Sequence, residues 1–283
     1  MRIAEIPWAE CVVPLEFTPE FFALHMDEVC YLRNLAVALS VASDVAALAN
    51  DWTVVSKHGI QILDLANAVR RGGIVVDHLV SVVIAGTGTH CLRQARHNMS
   101  EWNLCELIVG LTRIDYEREP FAVIAQRDAK WVEETQYDQT ESETPIEDII
   151  DYDSDIPVEI QESVIRFIRE LGDLPEWEQA ALYSQADSRS LATLRLLTLE
   201  LALSLHQKRF GEYPLSLSEL VPTTLADMPS DPFTDAPFLY RRNGRSFVLY
   251  STGPDQTDSG GNFGPWHAVA DGGYDLCLDT DDY

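Results

Sequence analysis

Residues 250–261, YSTGPDQTDSGG, join glycines to closely spaced acids directly after an aromatic run. Three chemistries suit such a stretch: a backbone cradle for an anion, an oxygen-rich nest for a hard cation, or a turn held by Asp side chains. A second acidic constellation is DYDSDIPVEIQE, where Asp151, Asp153 and Asp155 precede Glu162 at the twelfth position of a calcium-loop count. The sharp turn of that loop requires glycine where Ile156 stands, so a solvated acidic connector is the favoured reading. Asp231, Asp255 and Asp258 are the acids a carboxylate-dependent hydrolase would draw on, if two of them faced each other across about 5–9 Å.

Other catalytic patterns are missing. There is no G-x-S-x-G, H-E-x-x-H or G-x-x-x-x-G-K-[ST] in the chain. AGTGTHC, at 85–91, holds two glycines of a dinucleotide fingerprint without the strand–turn–helix setting. Asp77–His78 and His90–Cys91 are neighbours in sequence, but His78 and His90 lie too far apart for metal ligands on adjacent helical turns. They read as polar residues on a helix surface or core edge.

The chain has 283 residues, enough for one large domain or two ordinary ones. Its 46 acidic against 20 basic residues give a formal net charge of −26. That charge repels phosphate backbones and anionic lipid, so nucleic acid is not an expected partner, whereas a cationic protein is. No uninterrupted apolar run reaches about 18 residues, so no membrane span is expected. The N-terminal stretch lacks a signal-peptide core, which leaves two localisations: periplasm or cell surface if an export segment was removed, otherwise cytoplasm. The five cysteines have no C-x-x-C spacing; Cys91 and Cys105 suit a bridge only on adjacent helices, and free buried thiols are the simpler reading.

Successive helices account for the first 132 residues. Thr18, Pro19 and Glu20 form an N-cap, a first-turn proline and a first-turn acid, and Asn50–Asp51 break that helix and cap the next. Val55, Ile62, Ala66 and Val69 share a face, and Gly72–Gly73 end the second helix. The run IVVDHLVSVVIAGTGTHCLRQ has the Val/Ile density of a buried strand, but its length favours a helix. Ser100 caps a fourth helix with Leu104, Leu107, Ile108, Leu111 and Ile114 inward, and Pro120 opens a fifth that ends near Trp131.

Residues 133–156 are expected to be an acidic linker or loop, and 157–283 a second unit. Within it Ile160, Val164, Ile165 and Ile168 give one helical face, and helix resumes from Pro175 to about Phe210. TLELALSLH alternates like a strand, yet its Leu, Ala and Glu content argues for helix with Leu194, Leu197, Leu201 and Leu205 inward. Gly211 stops it, and Ser216-x-x-Glu219 is a capping box. FLYRRNGRSFVLY predicts a hairpin turning on Asn243–Gly244 in a type I′ turn, with Phe238 and Tyr240 near Phe247 and Leu249. The fold class is therefore α+β: a mostly helical region followed by a small antiparallel sheet packed on a long helix.

Read in order, helix, G-x-Y-P, S-L-S-E-L-V-P, D-P-F, aromatic strand and S-T-G-P-D…G-G resemble the C-terminal region of the major pseudopilin of type II secretion systems. The likeness covers residues 194–261, about a quarter of the chain. About 190 residues precede it, and no assembly-driving apolar helix stands where a pseudopilin has one. The resemblance implies a long helix on a small sheet, and a calcium-binding loop after the aromatic strand. The corresponding positions are Asp255 and Asp258, with Asp271 and Asp275 as further ligands; Gln256 replaces the usual glycine. The functional expectation is a non-catalytic structural or protein-interaction component outside the cytoplasm. A cytosolic helical adaptor with a groove for a peptide or helix is the alternative.

Overall fold

A computed structural model of the chain describes residues 19–135, 174–265 and 272–279. Residues 136–156 of the expected connector, the Asp151–Glu162 loop, the Ile160–Ile168 face, Asp271 and Cys11 lie outside them. The fold is α+β: among the described residues six α-helices, α1 (Pro19–Leu48), α2 (Trp52–Arg70), α3 (Val75–Ala95), α4 (Glu101–Glu117), α5 (Phe121–Thr135) and α6 (Glu176–Phe210), precede a hairpin of β1 (Leu239–Asn243) and β2 (Ser246–Tyr250). Helix α5 runs through residues 133–135, past the expected end near Trp131.

The helix ends follow the signals in the chain. Asn50 adopts φ 57°, and the Asp51 carboxylate accepts from the Val54 amide, so one helix closes and the next opens within three residues. The valine-rich run is helical throughout α3. Ser100 caps α4 by accepting from Asn103 N. Gly211, at φ 84°, ends α6 in the left-handed conformation that glycine tolerates best.

Helices α1, α2 and α3 pack side by side, and α6 packs on α3 and α4. One continuous core joins Ile62, Leu92 and Leu111 of the first four helices to Leu197 and Leu203 of α6, and on to Leu220, Leu249, Leu276 and Leu278. Helices α2 and α3 approach closely at two glycines. A Cβ on Gly59 would run into the Leu92 side chain, and one on Gly88 would sit 2.9 Å from Leu63 Cγ.

The corner between α2 and α3 is held by side chains from three elements. Gly72 N donates to Glu119 Oε2 (3.1 Å), Gly73 O accepts from Arg127 Nη1 (2.6 Å), Ile74 N donates to Asp77 Oδ2 (2.8 Å) and Val75 N to Asp128 Oδ1 (3.0 Å). Four successive residues thereby satisfy backbone groups that a helix terminus leaves open.

The hairpin forms, one turn residue away from expectation. Asn243 pairs with Ser246 inside the ladder, so the central residues are Gly244 and Arg245 rather than Asn243 and Gly244. Gly244 carries φ 62° and Asn243 has no positive φ, which rules out the expected type I′ turn on Asn243–Gly244. Tyr240 faces Leu249, and Arg242, not Tyr240, faces Phe247. Tyr240 and Phe247 still meet diagonally at 6.1 Å, because the shift preserves which side chains share a face. The register is anchored at the end of α6: Tyr240 OH donates to Pro214 O (2.8 Å), Arg242 Nη1 to Tyr213 O (2.8 Å), and Tyr213 meets Phe247 edge-on at 4.9 Å.

Gly59→Ala should lower stability by about 1–3 kcal/mol in a denaturant melt despite the better helix propensity of Ala, because the methyl overpacks against Leu92. Gly86→Ala, which meets nothing within 4 Å, should instead be neutral or stabilising by up to about 1 kcal/mol.

Candidate functional site

The acidic loop after β2 is built from Asp side chains that hold backbone amides. Asp255 accepts from Thr257 N (3.0 Å) through Oδ1 and from Gly273 N (3.0 Å) through Oδ2. Asp258 Oδ1 accepts from Gly260 N (2.8 Å) and from Tyr250 OH (3.0 Å). Asp275, fully buried, accepts from Ser259 N (3.1 Å) and Gly261 N (2.7 Å). Burial pushes the Asp275 carboxyl above its usual range, and the neighbouring Asp258 adds to that, against the pull of the amides. Burial, together with the bond to Asp258, likewise pushes the Tyr250 phenol up to about 12.

Asp255, Asp258 and Asp275 thus lie around one stretch of backbone, while Asp271 falls outside the described residues. No group of three His, Cys, Asp or Glu side chains among the described residues is placed to hold a metal ion. Asp231 is buried and accepts from Phe233 N (3.0 Å) within its own turn.

A second concentration of charge lies inside the helical bundle, at the far end from the hairpin. Asp187 of α6 accepts from Arg118 Nη2 (2.6 Å), and Arg70 Nη2 stands 2.9 Å from the same oxygen. Arg70 and His78 are both almost completely buried, with Arg70 Nη1 donating to His78 Nδ1 across 2.6 Å. That bond makes Nδ1 the acceptor and puts the ring proton on Nε2. Burial and then the Arg70 charge pull the His78 pKa down to about 4, so the ring is neutral. Burial, with Arg118 nearby, lowers Arg70 to about 10. Burial alone would raise the Asp187 carboxyl, but Arg118 and Arg70 outweigh it and hold the group below its usual range.

One helix away, His25 Nε2 lies 2.7 Å from Asp77 Oδ1, and that bond raises the His25 pKa against the opposing effect of burial. Arg195 of α6 grips Asp115 of α4 with two bonds (2.8 and 3.1 Å) and donates to Ser230 O (2.8 Å). Asp77 and His78, read from sequence as edge residues, are therefore interior partners. Their partners His25 and Asp187 are 52 and 109 residues away in sequence, beyond the reach of any local spacing rule.

A small cavity of about 10 Å³, room for about one water, lies between α2, α3, α4 and α6 and is lined by Asn67, Thr89, Arg118 and Ser190 among apolar residues. Asn67 and Thr89 donate to the backbone carbonyls of Ile114 and Ala85. Cys91 and Cys105 form no disulfide; Cys91 Sγ lies 3.3 Å from Ser40 Oγ, and Cys105 accepts from Arg209. Polar groups in the bundle are thus engaged in joining elements, with no nucleophile bonded to a base among these contacts.

The outer surface is less polar than the interior suggests. Tyr31, Val37, Val41, Val45 and Leu48 of α1 are 72, 50, 57, 62 and 86% exposed. Leu24–Leu48 and Val75–Asn98 have the length and mean hydropathy (1.3 and 1.4) of membrane-crossing helices, although Asp27, Glu28, Arg33 and Asp44 interrupt the first. The second is half buried inside the bundle and carries the interior groups Asp77, His78 and Arg93, as a core helix does.

No known protein family, curated protein or solved structure matches the chain.

Asp187→Ala should lower stability at pH 7 by about 3–5 kcal/mol in urea melts, because Arg70 and Arg118 then lose the carboxylate they share. The depressed Asp187 carboxyl stabilises the wild type above its unfolded pKa of about 3.9 and loses that contribution as the pH falls through the lower folded value. The variant should lack that part of the acid-side decline.

Proposed function

We propose that the chain is a non-catalytic structural or protein-interaction component that works outside the cytoplasm, with a C-terminal module related to secretion pseudopilins. The observation that carries this reading is the outward face of α1. Leu24, Tyr31, Ala38 and Val45 recur every seven residues, with Asp27, Asn34, Val41 and Leu48 interleaved at alternating steps of four and three. All eight are exposed, while the opposite face of the helix is packed on α2 and α3. A seam of period 3.5 is what a helix presents to another helix. The occupant is a helix of a partner protein, and the net charge of −26 favours a basic one. A cytosolic adaptor would use the same face and differ only in compartment.

A photo-activated cross-linking residue placed at Val41 or Val45, in the cells that make the protein, should give adducts with one distinct protein. The same residue at Lys130, on exposed α5 surface, should give none. Absence of adducts at α1, or equal adducts at Lys130, contradicts the reading. Adducts only with a second copy replace the partner by self-association.

A calcium ion in the loop of Asp255, Asp258 and Asp275 is the second reading, with Asp271 as a further ligand. It is supported by the likeness of the loop to the pseudopilin calcium loop and by three carboxylates bonded along residues 257–261 and 273, which an ion would have to draw together. Each carboxylate keeps lone pairs beyond those used by the amides. Millimolar calcium should then raise the melting temperature relative to chelator, and Asp258→Asn should diminish the rise. An unchanged melting temperature removes calcium from the account.

A further inference from the structure

Residues 272–279 cross from the hairpin to the helical bundle and are held at three places. The Asp275 carboxylate holds the Ser259 and Gly261 amides, as above. Ser251 and Leu276 exchange two backbone bonds of 2.9 Å. At the far end Arg93 Nη1 donates to Leu278 O (3.2 Å), and Arg96 Nη2 to Asp279 Oδ2 (2.6 Å). Leu276 and Leu278 are buried in the common core.

Arg96 is shared. Its Nε lies 3.0 Å from Glu200 Oε2, so one guanidinium bridges a carboxylate in the middle of α6 and a carboxylate on the crossing segment. Glu200 is otherwise faced by Arg93 of α3 and by Tyr213 beyond the end of α6. Burial and then Arg96 lower the His97 pKa, against the opposing effect of Asp279. Two cations therefore meet two carboxylates, one of which, Glu200, lies in the interior.

We propose that residues 272–279 are a strap that docks onto α3 and α6 through Arg96, where Asp279 and Glu200 compete for one guanidinium, so that acid holds the strap closed and alkaline solution loosens it. With the strap docked, burial raises Glu200 to about 7 and Asp279 adds to the rise, against the opposing pull of Arg96. With the strap lifted, Asp279 departs and leaves Arg96 to Glu200, whose pKa then falls back in the direction of 4.5. A carboxyl with a higher pKa in the closed state favours closure below the open-state value. It loses that advantage as the pH rises through the closed-state value. The window is therefore about pH 4.5 to 7, and Asp275, also raised, acts in the same direction.

The test is hydrogen exchange at the Leu276 amide, which donates to Ser251 O, measured on the full chain at pH 5.5 and pH 8 and corrected for intrinsic exchange. Opening should be up to about 30-fold more frequent at pH 8. Glu200→Gln should flatten the dependence. Asp279→Asn, which leaves the interior residue in place, should shrink it and serves if the first variant does not fold. Equal or reversed opening in the wild type overturns the proposal, as does a full pH dependence that survives Glu200→Gln.

Discussion

Helix α6 buries leucines around its whole circumference from Leu194 to Leu205, and that forces the arrangement of everything else. Leu194, Leu196, Leu197, Leu199, Leu201, Leu203 and Leu205 are all buried, which no single packing face can achieve. A helix of this kind must be enclosed all round. Helices α3 and α4 cover it on one side, and β2, the short turn at Leu217–Leu220 and the segment ending at Leu278 complete the enclosure. The N-terminal helices and the C-terminal hairpin therefore share one core, with α6 as its axis.

Apolar enclosure does not by itself specify which helix ends meet, because leucines pack tolerantly. The ion pairs supply that information. Asp187 meets Arg118 and Arg70 in the first half of α6, Arg195 meets Asp115 further along, and Glu200 meets Arg96 beyond it. Each joins α6 to a different element at a fixed height. Buried pairs of this sort contribute little net stability against an apolar substitute, but removing one member leaves a charge without compensation. They act as register marks along an otherwise uniform surface. The corner at Gly72–Val75 does the same for α2 and α3, where four backbone groups are each matched by a side chain.

Much of this was legible in the chain. The helix boundaries at Asn50–Asp51, Ser100 and Gly211 follow from capping and left-handed geometry, which are local. The α+β order follows from them and from the hairpin. The strand-like alternation of TLELALSLH has a plain cause: a helix buried all round has no polar face, so its helical period disappears from the sequence. The same loss of period made α3 ambiguous. The hairpin register was misplaced by one turn residue because Asn-Gly is a strong local signal. The anchors of Tyr240 and Arg242 on residues 212–214 override it. The interior charge network could not be read at all, since its members lie on α1, α2, α3, α4 and α6 and only the fold brings them together. The acids of the 250–275 loop were legible as a group, but not their engagement with backbone amides, which depends on the exact turns.

The central claim is that helices and hairpin form one folding unit around α6, not a helical domain carrying an independent module. Differential scanning calorimetry of the full chain tests it most directly. The account predicts a single transition with a calorimetric enthalpy equal to the van't Hoff enthalpy. Two separable transitions, with the hairpin segment melting apart from the helices, would contradict it.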